Sequence, residues 1–177
     1  AVTYANAPTG LTISQKALTV SATGVNRVYN GLTGATVNLG DDRVSGDVLT
    51  LGYTTAAFVD KNVGTGKTVN ASGISVTGTD SGNYSFNTTA STTADITQKA
   101  LTVTASGINR VYDGLTGATV NLGDDRIGGD VLTLSYTAAS FLDKNVGAGK
   151  AVDVMGINVT GADSGNYSFN TVASTTA

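Results

Sequence analysis

The sequence predicts an all-β protein built from two tandem copies of one small module. Three observations predict it. The first is composition. Thr, Val, Gly, Ala, Ser and Asn dominate, while Glu, Cys, His and Trp are absent and Met and Pro occur once each. Thr and Val suit a pleated surface, Gly and Asn suit turns, and the straight-chain helix formers are nearly missing. The second is self-similarity. Ile13-Ser14-Gln15-Lys16-Ala17-Leu18-Thr19-Val20 returns as Ile96-Thr97-Gln98-Lys99-Ala100-Leu101-Thr102-Val103, and the offset of 83 residues holds to the end of the chain. Of 82 aligned positions 63 are identical. The third is short runs of alternating apolar and polar residues, separated by turn clusters about every ten residues, as in a sandwich or barrel.

The repeat sets the expected domains: residues 1–12 as the tail of a preceding module or a boundary strand, 13–94 as one module and 95–177 as the other. A period of 83 is too long for a solenoid unit and long enough for a small autonomous domain. Within the first module, Leu18, Val20 and Ala22 alternate with Thr19, Ser21 and Thr23, which predicts a half-buried strand. Val37 and Leu39 predict a second. Val48, Leu49, Leu51 and Tyr53 predict a third, Val69, Ile74 and Val76 one or two around Gly73, and Tyr84, Phe86 and Thr88 the last. The segment 88–95 joins the modules without Gly or Pro, so an extended strand is expected to pass from one to the next and to stiffen the pair.

Two local patterns carry structural expectations. Asn30-Gly31 becomes Asp113-Gly114 in the second copy. Both dipeptides accept the positive φ of a tight hairpin turn. Asp80-x-Gly82-x-Tyr84 and Asp163-x-Gly165-x-Tyr167 match the tyrosine corner of immunoglobulin-type sandwiches, where a Tyr at the start of a late strand ties its hydroxyl back to nearby backbone. An immunoglobulin-like β-sandwich is therefore the leading expectation for each module, with a β-grasp-like or other small β fold as the alternative.

Gln-Lys-Ala-Leu-Thr-Val, then Arg-Val-Tyr-Asp-Gly, Asp-Lys-Asn-Val-Gly-x-Gly-Lys and Gly-x-Asp-Ser-Gly-Asn-Tyr, occur in that order in the second module, and in the first with Tyr-Asn-Gly at 29–31. This series resembles the YDG-type repeats of bacterial surface proteins, which are similar to those of filamentous-haemagglutinin-like adhesins. The resemblance implies an extracellular array of repeats lying between an anchored or processed region and more variable binding regions.

Charge and residue types narrow the function. The formal net charge is −3 and the ten Lys and Arg are scattered, which disfavours nucleic acid as a partner because phosphates demand a basic stripe. No run approaches the length of a membrane helix, so membrane insertion is not expected. The first eleven residues lack the charged start and apolar run of a signal peptide. Without His or Cys the usual nucleophile–base pairs are missing, and no enzyme is expected.

Asp41, Asp42 and Asp47, with their copies Asp124, Asp125 and Asp130, place three carboxylates in one loop. Such a loop could hold calcium, but it lacks the spacing of a dedicated calcium loop and Arg43 competes for the carboxylates; a turn with Asp accepting backbone N–H groups is the favoured reading, and no cofactor is expected. Asp95 could join a cation site between modules. Lys61 and Lys67, like Lys144 and Lys150, flank a Gly-rich loop that lacks the spacing of a phosphate loop and reads as a hairpin turn. Lys16 and Lys99 are the candidates for a Lys–Asn crosslink.

The leading functional expectation is a stalk or spacer segment of a large secreted bacterial surface adhesin, whose partners are neighbouring repeats. The alternative is a module that itself binds host or biofilm glycans or self-associates between cells.

Overall fold

The structure, a computed structural model, describes residues 12–177; apart from Thr12, the expectation for residues 1–12 lies outside the described residues. The described chain is all-β. The first repeat supplies β1 (Lys16–Leu18), β2 (Val20–Gly24), β3 (Arg27–Val28), β4 (Val37–Asp41), β5 (Thr50–Gly52), β6 (Thr55–Phe58), β7 (Gly64–Ser72), β8 (Ser75–Thr77) and β9 (Tyr84–Phe86). Thr89–Thr97 is one continuous strand, β10, as the absence of Gly and Pro there predicts. The second repeat supplies β11 (Lys99–Leu101), β12 (Val103–Gly107), β13 (Val120–Asp124), β14 (Thr133–Ser135), β15 (Ala138–Phe141), β16 (Ala151–Met155), β17 (Asn158–Thr160), β18 (Tyr167–Phe169) and β19 (Val172–Thr176).

Contacts divide this chain into two compact units, and the division does not follow the repeat. One unit takes the chain up to Val25 with Gly34–Phe58 and Thr68–Thr93; the other takes Asn26–Thr33, Val59–Lys67 and Ala94–Ala177. The second unit thus contains two loops of the first repeat.

In the first unit β1 runs parallel to β9, with Lys16 opposite Tyr84, and β2 pairs antiparallel with β4 from Val20–Asp41 to Gly24–Val37. β5 pairs with β8, and β6 with the Val69–Ser72 end of β7, both antiparallel. Leu18, Val20, Leu49, Ile74, Val76 and Tyr84 form one buried cluster, with Leu39, Leu51, Tyr53, Phe86 and Ala90 packed on it. All but Ala90 are apolar strand positions read from the sequence; Val48, read with them, is exposed instead. Burial of such side chains at roughly 25 cal/mol per Å² is the main stabilising contribution.

The second unit repeats the plan. β11 runs parallel to β18; β12–β13, β14–β17 and β15–β16–β19 are antiparallel. It adds one pairing from the borrowed loops: β3 lies parallel to the end of β10, with Arg27 opposite Ile96 and Val28 opposite Thr97.

Asn30-Gly31 is not a hairpin turn. It sits in the long loop between β2 and β4, and β3 just before it pairs with β10 instead of the next strand. Its local chemistry is as expected. Gly31 and Gly114 both have φ of 78°, the left-handed region that Gly tolerates at least cost. The Asn30 side chain accepts the Leu32 N–H at 3.0 Å, and Asp113 accepts that of Leu115 at 2.9 Å. An Asx turn thus replaces the hairpin.

Candidate functional site around Asp130

Several polar side chains in both repeats are latched to their own fold. Asp41 receives the Arg43 guanidinium, whose other nitrogen donates to the Leu49 carbonyl at 2.8 Å; Asp124, Arg126 and Leu132 repeat this. Arg43 holds the Asp41 carboxyl below the usual carboxylate range, against burial. Asp42 and Asp125 accept the N–H groups of Thr19 and Thr102 at 2.7 Å. Asn87 brackets Val20 by accepting its N–H and donating to its carbonyl, as Asn170 does for Val103. Among the described residues no three carboxylates converge on a point that could hold a metal ion. Asp41, Asp42 and Asp47 look toward different partners.

The tyrosine corners are tied farther away than the motif implies. Tyr84 accepts the Val44 N–H at 2.9 Å and donates to Asp47 at 2.5 Å; Tyr167 accepts the Ile127 N–H at 3.0 Å and donates to Asp130 at 2.6 Å. The hydroxyl therefore pins the Asp loop some 40 residues upstream. Asp80 and Asp163 accept the N–H groups of Val48 and Val131. Gly82 and Gly165 have open space where a Cβ would stand. The demand for Gly falls instead on Gly78 and Gly161.

Among the described residues Asp130 is the one charged residue buried as a whole, backbone included; the Asp41 and Asp124 carboxylates are as enclosed but belong to the Arg43 and Arg126 latches. Three groups converge on Asp130, all inside the second unit. Tyr29, from the Asn30-Gly31 loop, donates at 2.9 Å; Tyr167 donates at 2.6 Å; and the Lys61 ammonium stands 2.9 Å from Asp130 and 2.9 Å from Asp163. The Tyr29 and Tyr167 rings meet edge to face, with centroids 5.5 Å apart. Beside them Asn166 accepts the Val63 N–H at 2.9 Å and donates to the Asn62 side chain at 3.2 Å. Gly31 packs so closely that a Cβ there would stand 3.1 Å from Ile127 Cγ2.

Burial alone raises the Asp130 pKa, but the hydrogen bonds from Tyr167, Lys61 and Tyr29 overcome it and hold the carboxyl below its ordinary range. The hydrogen bonds to Asp163 and Asp130 push Lys61 upward. Burial, then the bond to Asp130, pushes Tyr167 up to about 12. An amide crosslink between Lys61 and Asp130 requires a neutral amine, and these shifts favour the charged pair. The three donors together clamp the carboxylate in its charged form.

Sequence reasoning nominated Asp130, Asp163 and Tyr167 separately and missed Tyr29, Lys61, Asn62 and Asn166 as their partners. The available signal was identity between copies in loops. Asn26–Tyr29 and Asp60–Gly64 recur unchanged at 109–112 and 143–147, although loops with no task tolerate drift. Asp95 accepts the Gly66 N–H at 2.7 Å and pairs reciprocally with Asn26. Lys67 closes its Gly-rich loop onto Asp60 at 2.7 Å.

Fold and site together define a pair of tandem β-rich repeat domains with a side-chain clamp around Asp130. Residues 14–94 and 97–177 each match the YDG domain, and the chain belongs to that family. No curated protein matches it. No solved structure matches it either.

Proposed function

We propose that the two YDG domains are a structural spacer in a large secreted bacterial surface adhesin, acting outside the cell and presenting a distal binding region for cell adhesion or biofilm formation. The observation that carries this reading is where the copies differ. Of the 19 substituted positions, 16 are exposed in the first repeat and one, Ala71 against Val154, is buried. A spacer must keep its core and latches while its solvent face drifts. The polar side chains support the same reading, since many of the charged groups are held by backbone or by one another.

The test is replacement. In the full-length protein, deleting the two repeats should weaken adhesion, and an unrelated pair of β domains of equal length should restore it. Failure of the replacement, or saturable binding of the isolated pair on a glycan array, would sink the spacer reading.

A further inference from the structure

Asn30 is the one Asn in the chain that is followed by Gly. The corresponding pair in the second copy is Asp113-Gly114, so the repeats differ here by an amide against a carboxylate. The backbone does not register the difference. Gly31 and Gly114 both have φ of 78°, and each loop is held by an Asx turn, to Leu32 or to Leu115. The Arg three residues earlier serves both loops in one way. Arg27 donates to the Asn30 side-chain oxygen and to the Leu32 carbonyl, and Arg110 donates to Asp113 and to the Leu115 carbonyl. The turn thus accepts Asn and Asp interchangeably.

The surroundings of Asn30 favour loss of its amide. The residue is exposed. Gly31 has no Cβ to obstruct the approach of its nitrogen to Asn30 Cγ. The Asx turn folds the side-chain amide back over that same peptide. Arg27 and the Leu32 N–H both donate to Asn30 Oδ1, the oxygen on which negative charge develops when Cγ is attacked. Fixed donors at such an oxygen stabilise the transition state. Asn26, Asn87, Asn166 and Asn170 each tie their amide nitrogen to an acceptor, whereas Asn30 is engaged through its oxygen.

We propose that Asn30 is a site of spontaneous deamidation, and that the isoaspartate it yields loosens the Asp130 clamp. The Gly31 nitrogen gives up its proton to a solvent base and bonds to Asn30 Cγ. The bond from Cγ to the amide nitrogen breaks, and that nitrogen leaves as ammonia with a proton from water. Water then opens the resulting succinimide at either carbonyl. One opening gives aspartate. The other gives isoaspartate, in which the main chain runs through the former side chain and gains a carbon. The aspartate form keeps the turn and pairs with Arg27, as Asp113 pairs with Arg110 at 2.9 Å. The isoaspartate form loses the turn, because its former side-chain oxygen is now the peptide oxygen. Its flanks are also fixed. The Tyr29 N–H donates to the Thr97 carbonyl at 2.8 Å, the Tyr29 hydroxyl donates to Asp130 at 2.9 Å, and Gly31 packs on Ile127. A longer main chain between them displaces Tyr29 from its carboxylate. The proposal stands whether or not the repeats are spacers.

Peptide mapping of the whole folded chain, aged in mildly alkaline buffer and sampled over time, tests it. Asn30 should convert before any other Asn, into both aspartate and isoaspartate, and faster as pH rises because the attacking nitrogen must lose its proton. Asn30→Gln should abolish both products at that position, since closure then needs a larger ring. The aged forms are next separated by ion exchange and unfolded thermally. The aspartate form and the Asn30→Asp variant should melt with the starting chain. The isoaspartate form should melt at least about 4 °C lower, the lower end expected when a small domain loses one buried hydrogen bond. In a Tyr29→Phe background that difference should shrink, because the bond it breaks is already gone. Another Asn converting first, or Asn30 intact while others convert, would overturn the site. An isoaspartate form that melts with the starting chain, or a difference undiminished by Tyr29→Phe, would overturn its action on the clamp.

Discussion

Tyr167 shows how much one hydroxyl carries. It accepts from the Ile127 backbone, donates to buried Asp130 and places its ring against Tyr29. Its pKa is raised, so the sign of the pH effect follows. The stabilisation is full below the unfolded value near 10 and is lost as pH rises through about 12. That offset corresponds to roughly 2–3 kcal/mol for this almost fully buried group. Lys61 is shifted in the same direction and adds to the alkaline limb. Asp130 is shifted down, so its contribution is present above about pH 4 and lost as pH falls below that. Tyr167→Phe should therefore cost about 1–3 kcal/mol at neutral pH, because a buried carboxylate loses a donor. Urea unfolding followed from pH 8 to about 12 should also show a shallower decline in the variant. An alkaline limb unchanged by the substitution would assign that decline to other groups.

At the scale of elements, the two turns that close the tyrosine corner depend on backbone that only Gly supplies. Gly161 has φ of 119°, and a Cβ there would fall 2.3 Å from the Val131 carbonyl oxygen, with Gly78 the same against Val48. Backbone cannot yield as a flexible side chain can. Gly161→Ala should cost on the order of 3 kcal/mol or more, since strain and overlap combine. Gly46 also has positive φ, but a Cβ there meets nothing within 4 Å. Gly46→Ala should cost only the strain, about 1–2 kcal/mol. Equal losses in thermal unfolding would show that close approach adds nothing. The strands themselves were legible because alternation reports burial directly. Leu18, Val20, Val76 and Tyr84 all fall on the buried face the pattern assigns. Strand partners were not legible. Asn30-Gly31 has the right residues for a hairpin, yet β3 pairs with β10, far along the chain. Tyr84 likewise matches a corner motif, but its hydroxyl reaches Val44 and Asp47. Local chemistry specifies a conformation; it does not specify what the conformation touches.

For the whole molecule, the repeat period and the contact units disagree, and the disagreement has a measurable consequence. From Ile13 onward the first unit lies within the first repeat, whereas the second unit includes Asn26–Thr33 and Val59–Lys67 from that repeat. Cutting the chain between Ala94 and Asp95 is therefore asymmetric. The fragment 1–94 keeps every residue of the first unit, together with two loops that belong to the second. The fragment 95–177 loses Tyr29 and Lys61, so Asp130 keeps only Tyr167 as a side-chain donor, and Ile96 loses the β3 strand beside it. Leaving the buried Asp130 carboxylate short of a donor costs about 1–3 kcal/mol, and the lost edge-to-face ring pair adds roughly 0.5–1.5 kcal/mol. Against a marginal total of 5–15 kcal/mol for a domain, that loss is large. Denaturant unfolding should show the isolated second repeat melting well before the same residues in the whole chain, while the isolated first repeat is little changed. Adding the first-repeat fragment in trans should restore part of the loss, because it carries the missing Tyr29 and Lys61. Equal stability of both repeats when separated would mean that the Asp130 clamp contributes nothing net, and that each 83-residue copy holds itself together on its own core.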